Sequence, residues 1–167
     1  LIFKPAMFFT SFLLIKYWLY NKKIIEFFVN DHKHKKKIIF FGISSAIALI
    51  IHSIFLGVKI DNDLFKLFRR VVMLSFIIFE IVAQAYLVAT FYSFRDKLRN
   101  YININFLNLK IYLVSILVIV AILSIPILNF DEFMGFNLKF FKHALEWDYF
   151  LGVISFYLIT HFMWKRI

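Results

Sequence analysis

The sequence predicts an all-α polytopic membrane protein, a bundle of about five transmembrane helices oriented N-out and C-in. Three observations carry that expectation. Of 167 residues, 62% are hydrophobic and only 18% charged, with a mean hydropathy of +0.80, whereas a soluble domain has about half apolar and about a quarter charged residues. Apolar runs recur along the whole length, and a hydrocarbon core about 30 Å thick is crossed by about 20 helical residues. Basic side chains fall unevenly between the runs. There is no cysteine, which excludes a disulfide-stapled secreted domain. The 24 phenylalanines, with abundant Ile, Lys, Asn and Tyr, match the composition of an AT-rich genome, so Phe content is not taken as a functional signal.

The whole chain, 1–167, reads as a single transmembrane domain with helices over about 1–20, 38–58, 71–91, 111–130 and 147–164. Pro5 suits the first turn of the first helix, and Lys16 lies close enough to its far end to extend its amine to the headgroups. The second helix carries Gly42, Ser45, Ser53 and Gly57 on or beside the face of His52, and small residues there allow close backbone approach. The third holds Glu80 near its middle. In the fourth, Pro126 removes a backbone hydrogen bond and crowds the carbonyl of Ile122, which predicts a kink. Trp147, Tyr149 and Phe150 anchor one end of the fifth helix, and Trp164, Lys165 and Arg166 the other. No internal repeat, Gly/Ser linker or soluble domain is visible, and every loop is short.

With the N-terminus outside, twelve Lys and Arg face inward, Lys110 counted among them, and seven face outward. That bias sets the orientation. Lys33, Lys35, Lys36 and Lys37 are expected to meet anionic lipid headgroups on the inner face. The surrounding stretch KKIIEFFVNDHKHKKK reads as a basic loop that sets topology, or as a short interfacial segment. The net charge of +10 is therefore assigned to lipid and not to nucleic acid.

Glu80 is the most informative position. An ionised carboxylate facing acyl chains is costly, so this side chain must face protein or water, or be protonated. Ala83 and Gln84 follow at helical spacing and share its face. That face is expected to pack on Gly42, Ser45 and His52. Counting from the outer helix ends puts His52 about 9 Å deep and Glu80 about 14 Å deep, near enough for a hydrogen bond or one bridging water. Glu80, Gln84 and His52 are thus the candidate proton or ion relay; the alternative is a neutral hydrogen-bonded carboxyl that locks helices together.

The segment DEFMGFNLKFFKHALEWDYF places His143 and Glu146 three residues apart, one helical face, near Asp131, Glu132 and Asp148. With His52 these residues are the candidates for a metal or a haem b. No HExxH, GxSxG, P-loop or zinc cysteine set occurs, so the segment is read as an aromatic interfacial helix, and no catalytic residue and no cofactor is assigned.

Arg70 to Tyr92, with Arg70, Met73, Glu80, Phe91 and Tyr92, resembles the acidic helix of cytochrome c oxidase subunit III over about 23 residues. Only two helices follow it here where that family has more, and membership is not adopted. LEWDYF followed by a helix ending FMWKR resembles uncharacterised multi-span inner-membrane proteins of AT-rich alphaproteobacterial genomes over about 25 residues. That likeness brings no reaction with it.

The leading expectation is a non-enzymatic scaffold or accessory subunit of a larger assembly in a bacterial or mitochondrial inner membrane. It would bind lipid, other membrane subunits or further copies of itself. A small proton- or cation-coupled carrier or channel using Glu80 comes second. A membrane enzyme or haem protein using the outer histidines and acids comes third.

Overall fold

Long runs with little Gly or Pro punctuation give long helices. The computed structural model describes residues 3–28, 34–58, 60–129 and 139–165. The helices are α1 (Phe3–Phe28), α2 (Lys35–Phe55), α3 (Asp63–Ser93), the short α4 (Arg95–Leu98), α5 (Ile104–Asn129) and α6 (Lys139–Met163). No strand occurs among the described residues, and the one isolated bridge pairs Ile102 with Trp164.

Five helices outrun an expected end. α1 continues from Tyr20 to Phe28, α2 starts at Lys35 and not Ile38, α3 at Asp63 and not Val71, α5 at Ile104 and not Ile111, and α6 at Lys139 and not Trp147. Hydropathy marks where hydrocarbon ends, whereas Lys, Arg and Glu propagate a helix well into water. The stretch read as a loop after Tyr20 is thus helical through Phe28. Caps set the true starts. Asn62 Oδ1 accepts the Leu64 N–H at 2.9 Å, and Asn103 Oδ1 accepts the Asn105 N–H at 3.0 Å, so each asparagine satisfies an orphan donor of the helix that follows. At its other end α2 stops short of Val58, because Leu56 is already extended (φ −64°, ψ 126°) and Gly57 takes a φ of 80°, a type II turn closed by the Val58 N–H on the Phe55 carbonyl at 3.2 Å.

Among the described residues, three helices are long and apolar enough to cross a membrane: Lys35–Phe55, Asp63–Ser93 and Ile104–Leu123. The expected crossings at 1–20 and 147–164 are not among them. α1 has the length, but Lys16, Asn21, Lys22 and Lys23 dilute its apolar content, and the described apolar part of α6 is the shorter Leu151–Met163. The backbone of α5 is helical through Pro126, whose side chain lies outside the described residues.

The chain divides into two compact units, Leu1–Leu87 and Val88–Ile167. In the first, α1 and α2 form an antiparallel hairpin. Ser11, Leu14, Trp18, Asn21 and Ile25 are buried at alternating spacings of three and four, the stripe that lets two helices keep one seam in register. Ile38, Gly42, Ser45 and Leu49 answer from α2. Trp18 is fully buried, and its ring sits so close to Gly42 that an added Cβ would lie 2.4 Å away. Lys35 pairs with Glu26 at 3.2 Å near the turn.

In the second unit α5 packs on α6. Gly152 admits Leu117 so closely that a Cβ there would meet it at 2.5 Å. Leu98, Ile102, Leu107, Phe156 and Met163 are buried around this contact. The two helices are tied at one end by backbone hydrogen bonds: Asn103 N–H to the Met163 carbonyl at 2.8 Å and Lys165 N–H to the Tyr101 carbonyl at 2.9 Å. Lys165 Nζ also donates to the Arg99 carbonyl, and Phe91 meets Trp164 edge-on.

Candidate functional site

Glu80 and Gln84 lie one helical turn apart on α3 and are both fully buried. Gln84 Nε2 donates to Glu80 Oε1 at 3.1 Å. Across the seam, Ser45 Oγ on α2 lies 2.6 Å from Glu80 Oε2 and 2.9 Å from the Gly42 carbonyl oxygen. Acid, amide and hydroxyl therefore meet in one buried cluster spanning two helices.

The rest of the expected face is rearranged. Gly42 faces Trp18 of α1 and not α3. No hydrogen bond joins His52 to Glu80 among the described residues, and His52 Nδ1 is buried without a hydrogen-bond partner. The reason is axial. His52 is seven residues beyond Ser45, about 10 Å along α2. Because α3 begins at Asp63, Glu80 is about 25 Å from its start, while His52 is about 4.5 Å from the end of α2. The two depths no longer match.

A second buried polar cluster was not anticipated. Lys110, expected in a basic inner loop, occupies the second turn of α5 and is 1% exposed. Its Nζ donates to Thr160 Oγ1 on α6 at 2.7 Å, and the Thr160 hydroxyl donates to the Phe156 carbonyl at 2.9 Å. The same Nζ is 3.7 Å from the centroid of the Phe156 ring, a cation–π contact of the kind that strengthens when water is excluded. The signal was present in the sequence: Lys110 sits between Leu109 and Ile111, and Asn103 upstream is a helix cap.

At the start of α2, Lys35 is engaged by Glu26, whereas Lys36 and Lys37 are exposed. Lys37 Nζ is 5.5 Å from the centroid of the Tyr86 ring. Lys33 lies outside the described residues. His143 and Glu146 both fall within α6, with side chains outside the described residues. Among the described residues no group of three or more His, Cys, Asp or Glu could hold a metal ion.

Between α2 and α3 an open groove of about 290 Å³ runs past Ser44, Ile47, Ala48 and Ile51, with Val72, Ser75 and Phe79 as its other wall. Its lining is apolar apart from the two hydroxyls. No family model, curated protein or solved structure matches the chain.

Proposed function

We propose that the chain is an integral inner-membrane protein, bacterial or mitochondrial, that crosses the bilayer five times with its N-terminus outside. It acts as a non-enzymatic scaffold or accessory subunit of a larger membrane assembly. The observation that carries this reading is the Glu80 cluster, in which the costliest polar group of α3 joins helix to helix. Lys110 and Thr160 do the same between α5 and α6. Polar side chains used in this way fix interhelical geometry, and the outward faces of the spanning helices, with Ile54, Leu74 and Ile116 exposed, are left for lipid and partner helices. Co-migration tests it. After mild solubilisation the protein should run on a native gel in a complex larger than its monomer, and a stable, lone monomer defeats the scaffold reading.

A proton- or cation-coupled carrier is the second reading, favoured by a proton count at Ser45. One hydroxyl hydrogen serves two acceptors if Glu80 is ionised. If Glu80 is a neutral acid, its O–H donates to Ser45 Oγ, and Ser45 O–H donates to the Gly42 carbonyl. Every short contact then has its own hydrogen. Such a carboxyl holds a proton at the centre of a spanning helix and could pass it on. Flux across liposomes that persists unchanged in Glu80→Gln removes this reading.

A further inference from the structure

The α2–α3 seam has a polarity along its length that the Glu80 cluster does not use. Lys37, Ser44 and Ile51 recur every seven residues and so share one face of α2, with steps of about 10 Å. Lys37 opens that face, exposed and free of any ion pair among the described residues. Its ammonium lies over Tyr86; Tyr86 stacks on Phe41 at 6.2 Å with an interplanar angle of 11°, and Phe41 meets Phe79 at 5.9 Å. Phe79 is a wall of the groove. A cation at the helix start is thus joined through three rings to an apolar trough that begins about 10 Å away and reaches to about 20 Å.

That order, charge first and apolar length beneath it, is the order of groups in a phospholipid lying along the bilayer normal. Lys36 is exposed beside Lys37, so the head end favours a net anionic lipid. The groove's width favours an acyl chain over a partner helix: about 290 Å³ spread along about 10 Å from Ser44 to Ile51 leaves a channel about 6 Å across, narrower than a helix about 10–12 Å wide. We infer that the α2–α3 seam is a binding site for an anionic phospholipid, with its phosphate at Lys36 and Lys37 and one acyl chain against Phe79 in the groove. The site requires α2 and α3 to span the membrane and is independent of the scaffold and carrier readings.

The full chain, reconstituted in vesicles of equal phosphatidylglycerol and phosphatidylcholine with identical acyl chains and then re-extracted in mild detergent, is read by native mass spectrometry for retained lipid. Wild type should keep phosphatidylglycerol in preference to phosphatidylcholine. Lys36→Gln and Lys37→Gln should each lower that ratio about fivefold, and Lys37→Arg should preserve it. Ser44→Phe and Ser75→Phe, which fill the groove from opposite walls at half-buried positions, should each lower total retention; helicity by circular dichroism identifies which of the two remains folded. Equal retention of both lipids by wild type overturns the site. So does a preference that falls with the lysines but ignores a folded groove-filling variant, because the lysines would then act only as a headgroup belt.

Discussion

A buried hydroxyl between two acceptors is a sensitive reporter of its neighbour's charge. With Glu80 neutral, Glu80→Gln can reproduce the cluster: the new amide N–H donates to Ser45, and its carbonyl accepts from Gln84. The variant should unfold within about 1 kcal/mol of wild type, whereas Glu80→Leu strands both partners and should cost about 1–3 kcal/mol, read by thermal unfolding in detergent. Infrared difference spectra between wild type and Glu80→Gln should show loss of a carboxylic-acid C=O band; loss of a carboxylate band would show that the acid is ionised. Lys110 offers the complementary case. Lys110→Met keeps the length and apolar stem, removes a desolvated cation and should leave stability equal or higher. Thr160→Val leaves the amine with its hydrogen-bond acceptor gone and should destabilise the fold by about 1–3 kcal/mol. If Lys110→Met proves the more damaging of the two, the ammonium itself is required and not merely tolerated.

At the scale of elements, the α1–α2 hairpin depends on a residue with no side chain. Gly42→Ala would place a Cβ 2.4 Å from the fully buried Trp18 ring, and the indole, packed on every side, has little room to retreat. Overpacking of this kind costs about 1–3 kcal/mol. Trp18→Phe in the same chain should recover part of that loss. Additive effects in the double-mutant cycle would mean that the two positions are not in contact. The caps act more locally: Asn103→Ala removes the acceptor for the Asn105 N–H and should cost about 1 kcal/mol, lost from the first turn of α5.

For the whole molecule, the proposed orientation has a direct test because the chain has no cysteine. Single cysteines at Lys36, Asp61 and Ser93, all exposed, should react with a membrane-impermeant thiol reagent from opposite sides. Asp61→Cys should label in intact cells, and Lys36→Cys and Ser93→Cys only after the membrane is opened. The reverse pattern would invert the topology. Burial of Lys110 within α5 lowers the expected inward basic count from twelve to eleven against seven outward, and the excess that predicts an outside N-terminus survives.

Hydropathy and composition by themselves determined that the chain is helical and apolar enough for a membrane, because the cost of burying a backbone or a charge in hydrocarbon is written into every run of about 20 residues. They also placed Glu80 and Gln84 on one helical face, since side chains four apart always meet there. They could not determine which helix answers that face. Ser45, Gly42 and His52 share a stripe of α2, yet the first meets Glu80, the second meets Trp18, and the third makes no hydrogen bond to the acid. The axial offset and rotation between helices decide among them, and neither is encoded in local periodicity. Lys110 shows the same limit from the other side. A lysine at the edge of an apolar run looks like a boundary until a threonine 50 residues away and a phenylalanine ring take its ammonium out of water.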